Sequence, residues 1–322
     1  MKVAELLEKR RQNWQELETF CESFKSRRKA GISPQDHARF AALYRAACAD
    51  LALADSYQLP PNTVQYLHRL VGRAHNQLYR SKRFDFAMWN KMLLQDVPQA
   101  IFNDRCVQLM SCVFWGLFFI SAWLAYSPEA WPGYAEQMIG DTGIDRLETS
   151  FAQEINGRDP TQDIIMASFY IRHNTTIGLQ CFVGGLLVIP GMFITGQNAV
   201  ALGASFGYMF RPDVPQGKNF IEFVTAHGPF ELTAIVLSAG AGLRLGMSWI
   251  VTNGMTRLAS LEDTAQKAMP VMAAAMLCFF FAALIEGFIS PSALPYFIKA
   301  TVAVLSSGAL MFYFVVLGFP RE

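Results

Sequence analysis

The first third of the chain alternates apolar and polar positions with a helical period. In the remainder, long apolar runs dominate. Phe40, Leu43, Tyr44, Ala47, Cys48 and Leu51 fall on one stripe of a helix predicted over 33–56. Ser33 is placed to cap it, Pro34 suits its first position, and Asp36 stands where a capping-box acid belongs. An earlier stripe of Leu7, Trp14, Leu17, Cys21 and Phe24 predicts a helix ending near Ala30-Gly31, after the basic run KSRRKAG. Pro60-Pro61-Asn62 breaks the chain, and Val64, Leu67, Val71 and Leu78 predict a third helix. Three such helices make a small bundle over 1–80. Residues 81–105 mix Phe84, Phe86, Trp89, Met92 and Leu93 with Lys82, Arg83 and Lys91. That pattern fits an elbow helix at the membrane interface, and equally a fourth bundle helix.

From residue 106 the pattern changes. A membrane span needs about 20 apolar residues. Cys106–Tyr126 supplies one, with Trp123 and Tyr126 at its far end in the manner of an aromatic belt. The segment 127–163 follows with eight acidic residues and two arginines, and 139–155 could form a short surface helix. His173/Asn174 to Ile194 reads as a second span, and Gln197–Phe210 as a third of about 14 residues, short or re-entrant. Pro229–Val251, Met269–Phe288 and 297–317 complete six. The expected fold is therefore all-α: a polytopic membrane bundle over 106–322, preceded by a helical domain.

Charge sharpens the topology. Only 16% of the 322 residues are charged, against roughly 25% in soluble domains. Residues 1–105 hold 17 of the 27 Lys/Arg and 11 of the 26 Asp/Glu, whereas 106–322 are net acidic. Under the positive-inside rule the N-terminal domain lies in the cytoplasm and the acidic segment outside. No apolar core of 7–15 residues occurs in the first twenty, so the first span is expected to target the chain to a bacterial inner membrane. The six cysteines form no CxxC pair and read as small buried residues. The N-terminal basic residues are spread over three helices without a nucleic-acid-binding motif, so nucleic acid is not an expected partner.

Two sets of residues carry candidate chemistry. Gly203-x-x-x-Gly207 and Ser238-x-x-x-Gly242-x-x-x-Gly246 are small-residue faces that let helix backbones approach closely, within one chain or between two copies. The second set is polar. Gly228-Pro229 reads as a helix start with Glu231 in its first turn and His227 just before it. Arg244 lies about 20 Å along that helix, toward the opposite interface. Glu286 and His173-Asn174 fall at the same predicted level as Glu231 and His227. Ionisable groups within spans are functional hypotheses. Four readings follow: a structural network of helix ends, a transport path, a metal site in which Glu286 or His173 joins the His227–Glu231 pair, and a protease. HExxH and paired intramembrane aspartates are absent from the sequence, and the one GxSxG match, Gly203–Gly207, falls on the small-residue face within an apolar run, so no metal, cofactor or catalytic residue is expected.

The glycine-rich run through Gly-Gln-Asn198-x-x-x-Leu-Gly203, the stretch His-Gly-Pro-Phe-Glu-Leu-Thr-Ala-Ile with its Ala-Gly-Ala-Gly-Leu-Arg-Leu-Gly tail, and Leu-Ile-Glu286-Gly-Phe-Ile-Ser-Pro resemble the stage II sporulation protein M family of integral membrane proteins. The resemblance covers roughly residues 100–320 and implies Asn174, Asn198, His227, Glu231 and Glu286 as signature polar positions. It implies no enzyme activity. Namesake members act as a membrane scaffold with cell-wall hydrolases during engulfment. This chain carries an additional basic helical domain of about 100 residues, domain-sized by ordinary standards. The expected function is a non-catalytic scaffold that contacts lipid and binds protein partners through the N-terminal domain and acidic segment, with a homodimer open. The alternative is a transporter or channel using the His/Glu cluster.

Overall fold

The computed structural model describes residues 9–26, 33–78 and 86–320. Every regular element among them is helical. The chain divides into two compact units, Met1–Asp85 and Phe86–Glu322.

The first unit contains α1 (Arg11–Ser26), α2 (Pro34–Ser56) and α3 (Pro61–Leu78). Ser33 caps α2 by accepting a hydrogen bond from the Asp36 amide at 3.1 Å. Trp14, Leu17, Cys21, Phe40, Leu43, Leu67 and Leu70 form the core. Leu7, the side chain of Phe24 and the end of the basic run at 27–31 lie outside the described residues. Asp50 is fully buried in this core, yet both carboxylate oxygens are engaged. The Trp14 indole donates to Oδ2 at 2.9 Å, and Arg10 pairs with Oδ1. A buried charge is tolerated only with such partners. His75 bonds the Tyr44 hydroxyl at 2.9 Å, while His68 lies 3.7 Å from Asp55. The two histidines thus serve different neighbours.

Glu18 joins α1 to α3 by accepting from the Tyr66 hydroxyl at 3.0 Å and from Arg73. Arg73 holds its carboxyl below the ordinary carboxylate range, against the opposing effect of burial. A depressed folded-state value means stabilisation that is present above the unfolded value and lost as pH falls through the folded one. Acid unfolding of this unit should therefore be less steep below about pH 4 in Glu18→Gln than in the wild type, read by circular dichroism. Identical acid limbs would show that this pair contributes nothing.

The second unit opens with α4 (86–102), whose middle turn at Met92–Asp96 is of the wide π type before Pro98. It buries Val97 and Ile101 and exposes Phe86, Trp89 and Leu93. Its partners are Ala268, Val271 and Ala275, so 86–102 belongs with the apolar unit and not with the N-terminal bundle; 81–85 lie outside the described residues. Asp104 then caps α5 (Arg105–Tyr126) by accepting from the Cys106 amide at 2.9 Å.

The acidic segment is folded. Its helices α6 (Tyr134–Ile139) and α7 (Asp141–Ser150) are separated at Gly140, whose φ of +76° suits glycine. Tyr134 donates to Ser121 at 3.0 Å, Tyr208 to Glu148 at 2.5 Å, and Asn219 to the Phe151 and Gln153 carbonyls at 2.9 and 3.0 Å. These bonds fasten the segment to the bundle as a cap. The short helix expected at 139–155 is thus α7, begun after that glycine.

Six longer helices are α5, α8 (Pro160–Gly185), α9 (Ile189–Met209), α11 (Gly228–Ile250), α12 (Arg257–Ile289) and α13 (Tyr296–Val316), with the short α10 (Gly217–Val224) leading into α11. Four of them, α5, α11, α12 and α13, are both long and apolar enough to cross a membrane. The pair α8 and α9 has 26 and 21 residues, roughly 39 and 31 Å of helix. Their boundary corrects the expected second and third spans. The break falls at Leu186–Val188, not at Thr195–Asn198, and the third segment is a continuous helix rather than a 14-residue piece. Pro190 fits a helix start, where its missing N–H costs nothing. The polar run is accommodated inside α9 because Thr195 and Asn198 donate back to the Gly191 and Ile194 carbonyls, at 2.8 and 2.9 Å.

Candidate functional site

The polar residues meet at the end of the bundle that carries the acidic cap. Three elements deliver them. Gly228-Pro229 starts α11, and the His227 carbonyl accepts from the Phe230 and Glu231 amides at 3.1 and 3.2 Å. This first turn places His227 and Glu231 on one face, with Nε2 3.6 Å from Oε2. Glu286 lies in the closing turn of α12, Ile285–Ile289, which is again π type. That wide turn ends with the Ser290 amide on the Ile285 carbonyl at 2.8 Å, and it presents the Ser290 hydroxyl to His227 Nδ1, also at 2.8 Å. The third element is α8, where Asn174 donates Nδ2 to Glu286 Oε2 at 3.4 Å. Gly287 makes this approach possible, since a Cβ there would lie 2.6 Å from that of Ala167 on α8.

His227, Asn174 and Ser290 are buried, and Glu231 and Glu286 partly so. Ligand atoms of His227, Glu231 and Glu286 all lie within 4.8 Å of one another, which makes them, among the described residues, a set that could hold a metal ion. Two residues of the surroundings were not among those read from the sequence. Ser290 fixes the imidazole. Lys299, at 1% exposure, donates to the Ser290 carbonyl at 2.8 Å. A lysine within the apolar stretch of α13 is itself the signal that could have found it, because an intramembrane cation requires a partner. Arg158 stands near as well, 6.0 Å over the Phe223 ring.

The other expected members lie elsewhere. Asn174 sits in the middle of α8 rather than at its start, because Asp159 caps that helix fifteen residues earlier through a 3.1 Å bond to Thr161. His173 is exposed and stacks on Phe169 at 5.6 Å, so it does not join the group. Asn198 spends its amide on its own helix, as described above.

The small-residue positions are used inside one chain. A Cβ at Gly203 would meet the Phe118 carbonyl oxygen at 2.3 Å, and one at Gly207 the Ala122 oxygen at 2.0 Å, so α9 lies directly on α5. Gly242 meets the Phe182 oxygen at 2.3 Å and Gly246 the Gly185 oxygen at 2.2 Å, which seats α11 on α8. Ser238 packs against Gly178 on that same seam. Each of these faces is filled by a helix of the same chain. Where lipid supplies no hydrophobic drive, such close contact gains dispersion energy instead. On another side of α11, a groove of about 710 Å³ is lined by Trp115, Phe206, Leu232 and Leu310, with Thr225 and Thr233 among its hydroxyls.

Comparison with known proteins agrees with this architecture. Residues 4–80 match a family described as a domain of unknown function (DUF8413). No curated protein and no solved structure matches the chain. Residues 110–291, more than half of the chain, match the family described as stage II sporulation protein M. That match contains α8, α9 and α11 together with His227, Glu231 and Glu286, and the chain, a multi-pass integral membrane protein, belongs to the stage II sporulation protein M family.

Proposed function

We propose that the protein is a non-catalytic scaffold or assembly factor of the bacterial cytoplasmic membrane, serving an envelope-associated complex. One observation carries this reading: a self-contained apolar bundle is joined in one chain to a separate compact polar unit with its own core. The bundle consumes its small-residue faces internally, which leaves the N-terminal unit and the surface of the acidic cap for other proteins. The basic excess of residues 1–105 supports a cytoplasmic N-terminus, and the acidic cap then faces outward.

The test is affinity purification of the full chain from native membranes, beside a variant lacking residues 1–80. A defined partner set that is lost with the N-terminal unit, together with no ion movement in reconstituted vesicles, is the expected outcome. Bait that comes down alone while vesicles move protons would overturn the scaffold.

A second reading, a transporter or channel, is favoured by the clustering of three ionisable residues in the bundle. It predicts proton flux in vesicles that Glu231→Gln abolishes. The walls of the 710 Å³ groove include their neighbours Gly228 and Leu232 but not His227, Glu231 or Glu286 themselves.

A further inference from the structure

We propose that His227, Glu231 and Glu286 bind one divalent transition-metal cation of the zinc type, which ties the start of α11 to the end of α12. This does not rest on the scaffold reading. Zinc–ligand bonds to imidazole and carboxylate are about 2.0–2.2 Å, so donors around a tetrahedral ion stand roughly 3.3–3.6 Å apart. His227 Nε2 and Glu231 Oε2 are already 3.6 Å apart, on adjacent turns of one helix face. All three donors fall within 4.8 Å, so closing the set requires side-chain movement on the order of 1 Å.

The surroundings suit a ligand imidazole. When Nδ1 donates to the Ser290 hydroxyl, the lone pair is left on Nε2, the nitrogen that faces Glu231. Ser290 is in turn held by Lys299 through its carbonyl. Asn174 plays the corresponding part for Glu286, engaging one carboxylate oxygen and leaving the other for the ion. Metal sites use such outer partners to orient their ligands.

Charge points the same way. Among the described residues no lysine or arginine forms an ion pair with Glu231 or Glu286. Of the cations nearby, Lys299 is engaged by the Ser290 carbonyl, and Arg158 lies 6.0 Å over the Phe223 ring and forms no ion pair with either carboxylate. Two carboxylates gathered in a low-dielectric interior need a counter-charge or a proton, and a divalent ion supplies the former. One nitrogen and two oxygen donors, with no sulfur among them, suit zinc, iron, manganese or nickel rather than copper(I). With three protein ligands, water completes the coordination.

The experiment uses the full chain in nanodiscs, stripped with chelator and dialysed against zinc ion. The expected result is one zinc per chain in the wild type, bound at least tenfold more weakly in both Glu286→Gln and His227→Gln, and unchanged in His173→Gln. Wild type that takes up no zinc, or variants that bind as tightly as wild type, would overturn the proposal. If either variant loses helicity, cobalt(II) added to the wild type decides. A visible ligand-field band of nitrogen and oxygen donors that zinc displaces supports the site, and no band refutes it. A carboxyl pair sharing a proton would give the refuting results in both arms, whatever the protein scaffolds or transports.

Discussion

Gly185→Ala should destabilise the protein by about 3 kcal/mol or more, the upper range for forcing extra volume into a packed interior. An added Cβ would lie 2.4 Å from the Gly242 carbonyl carbon and 2.6 Å from the Leu243 nitrogen, both backbone atoms that no side-chain rotation can move. The same residue is approached from two further directions. A Cβ on Gly191 would come within 2.3 Å of the Gly185 Cα, and one on Gly246 within 2.2 Å of its oxygen. Gly185 is therefore the point where α8, α9 and α11 meet, and shifting any one helix disturbs the other two. Gly116→Ala on α5 is the matched control. Nothing lies within 4 Å of its added Cβ, and alanine gains up to about 1 kcal/mol of helix propensity over glycine. Denaturant unfolding of the purified chain in detergent should separate the two substitutions clearly. Equal midpoints for Gly185→Ala and wild type would mean that the close seam is not what holds these helices together.

Asp104→Ala should cost about 2–3 kcal/mol, below the range of about 3–5 kcal/mol for breaking a fully buried ion pair because the Arg244 left behind is 28% exposed. Asp104 is 6% exposed, and its Oδ2 pairs with Arg244 at 2.5 Å. Its other oxygen caps α5, a contact worth about 1 kcal/mol by itself. Truncation thus leaves the guanidinium without its carboxylate and removes a cap at once. Asp104→Asn separates the effects, since asparagine can still cap but cannot neutralise Arg244. A double-mutant cycle with Arg244→Ala should show the second loss to be much smaller once Asp104 is gone. Additive losses would show that the pair acts as two independent residues. The pair also explains how α11 keeps an arginine: the cation is met by the cap of α5 at the end of the bundle opposite the His227 group.

Much of the architecture was legible along the chain because its signals are local. Ser33-Pro34 begins α2, Gly228-Pro229 begins α11, and the apolar stretches from Cys106 onward set most of the long helices. The α8–α9 boundary was misplaced for a local reason too. Thr195-Gly-Gln-Asn198 resembles a polar turn by composition, but its side chains bond back within the helix, and the break goes to the residues just before Pro190. Asn174, His227, Glu231 and Glu286 were identifiable one by one, as polar groups that an apolar environment penalises unless they are partnered.

The sequence by itself determined that this chain crosses a membrane as helices, that a polar helical unit precedes them, and which residues are candidates for chemistry. Those outcomes follow from hydropathy and periodicity, properties that neighbouring residues share along the chain. Only the tertiary structure decided which candidates meet. It brought Asn174 to Glu286 across 112 positions and Ser290 to His227 across 63, left His173 and Asn198 aside, and turned the small-residue faces inward on one chain. Such pairings depend on the register between packed helices, which the backbone contacts at Gly185, Gly242 and Gly287 set and no single segment encodes.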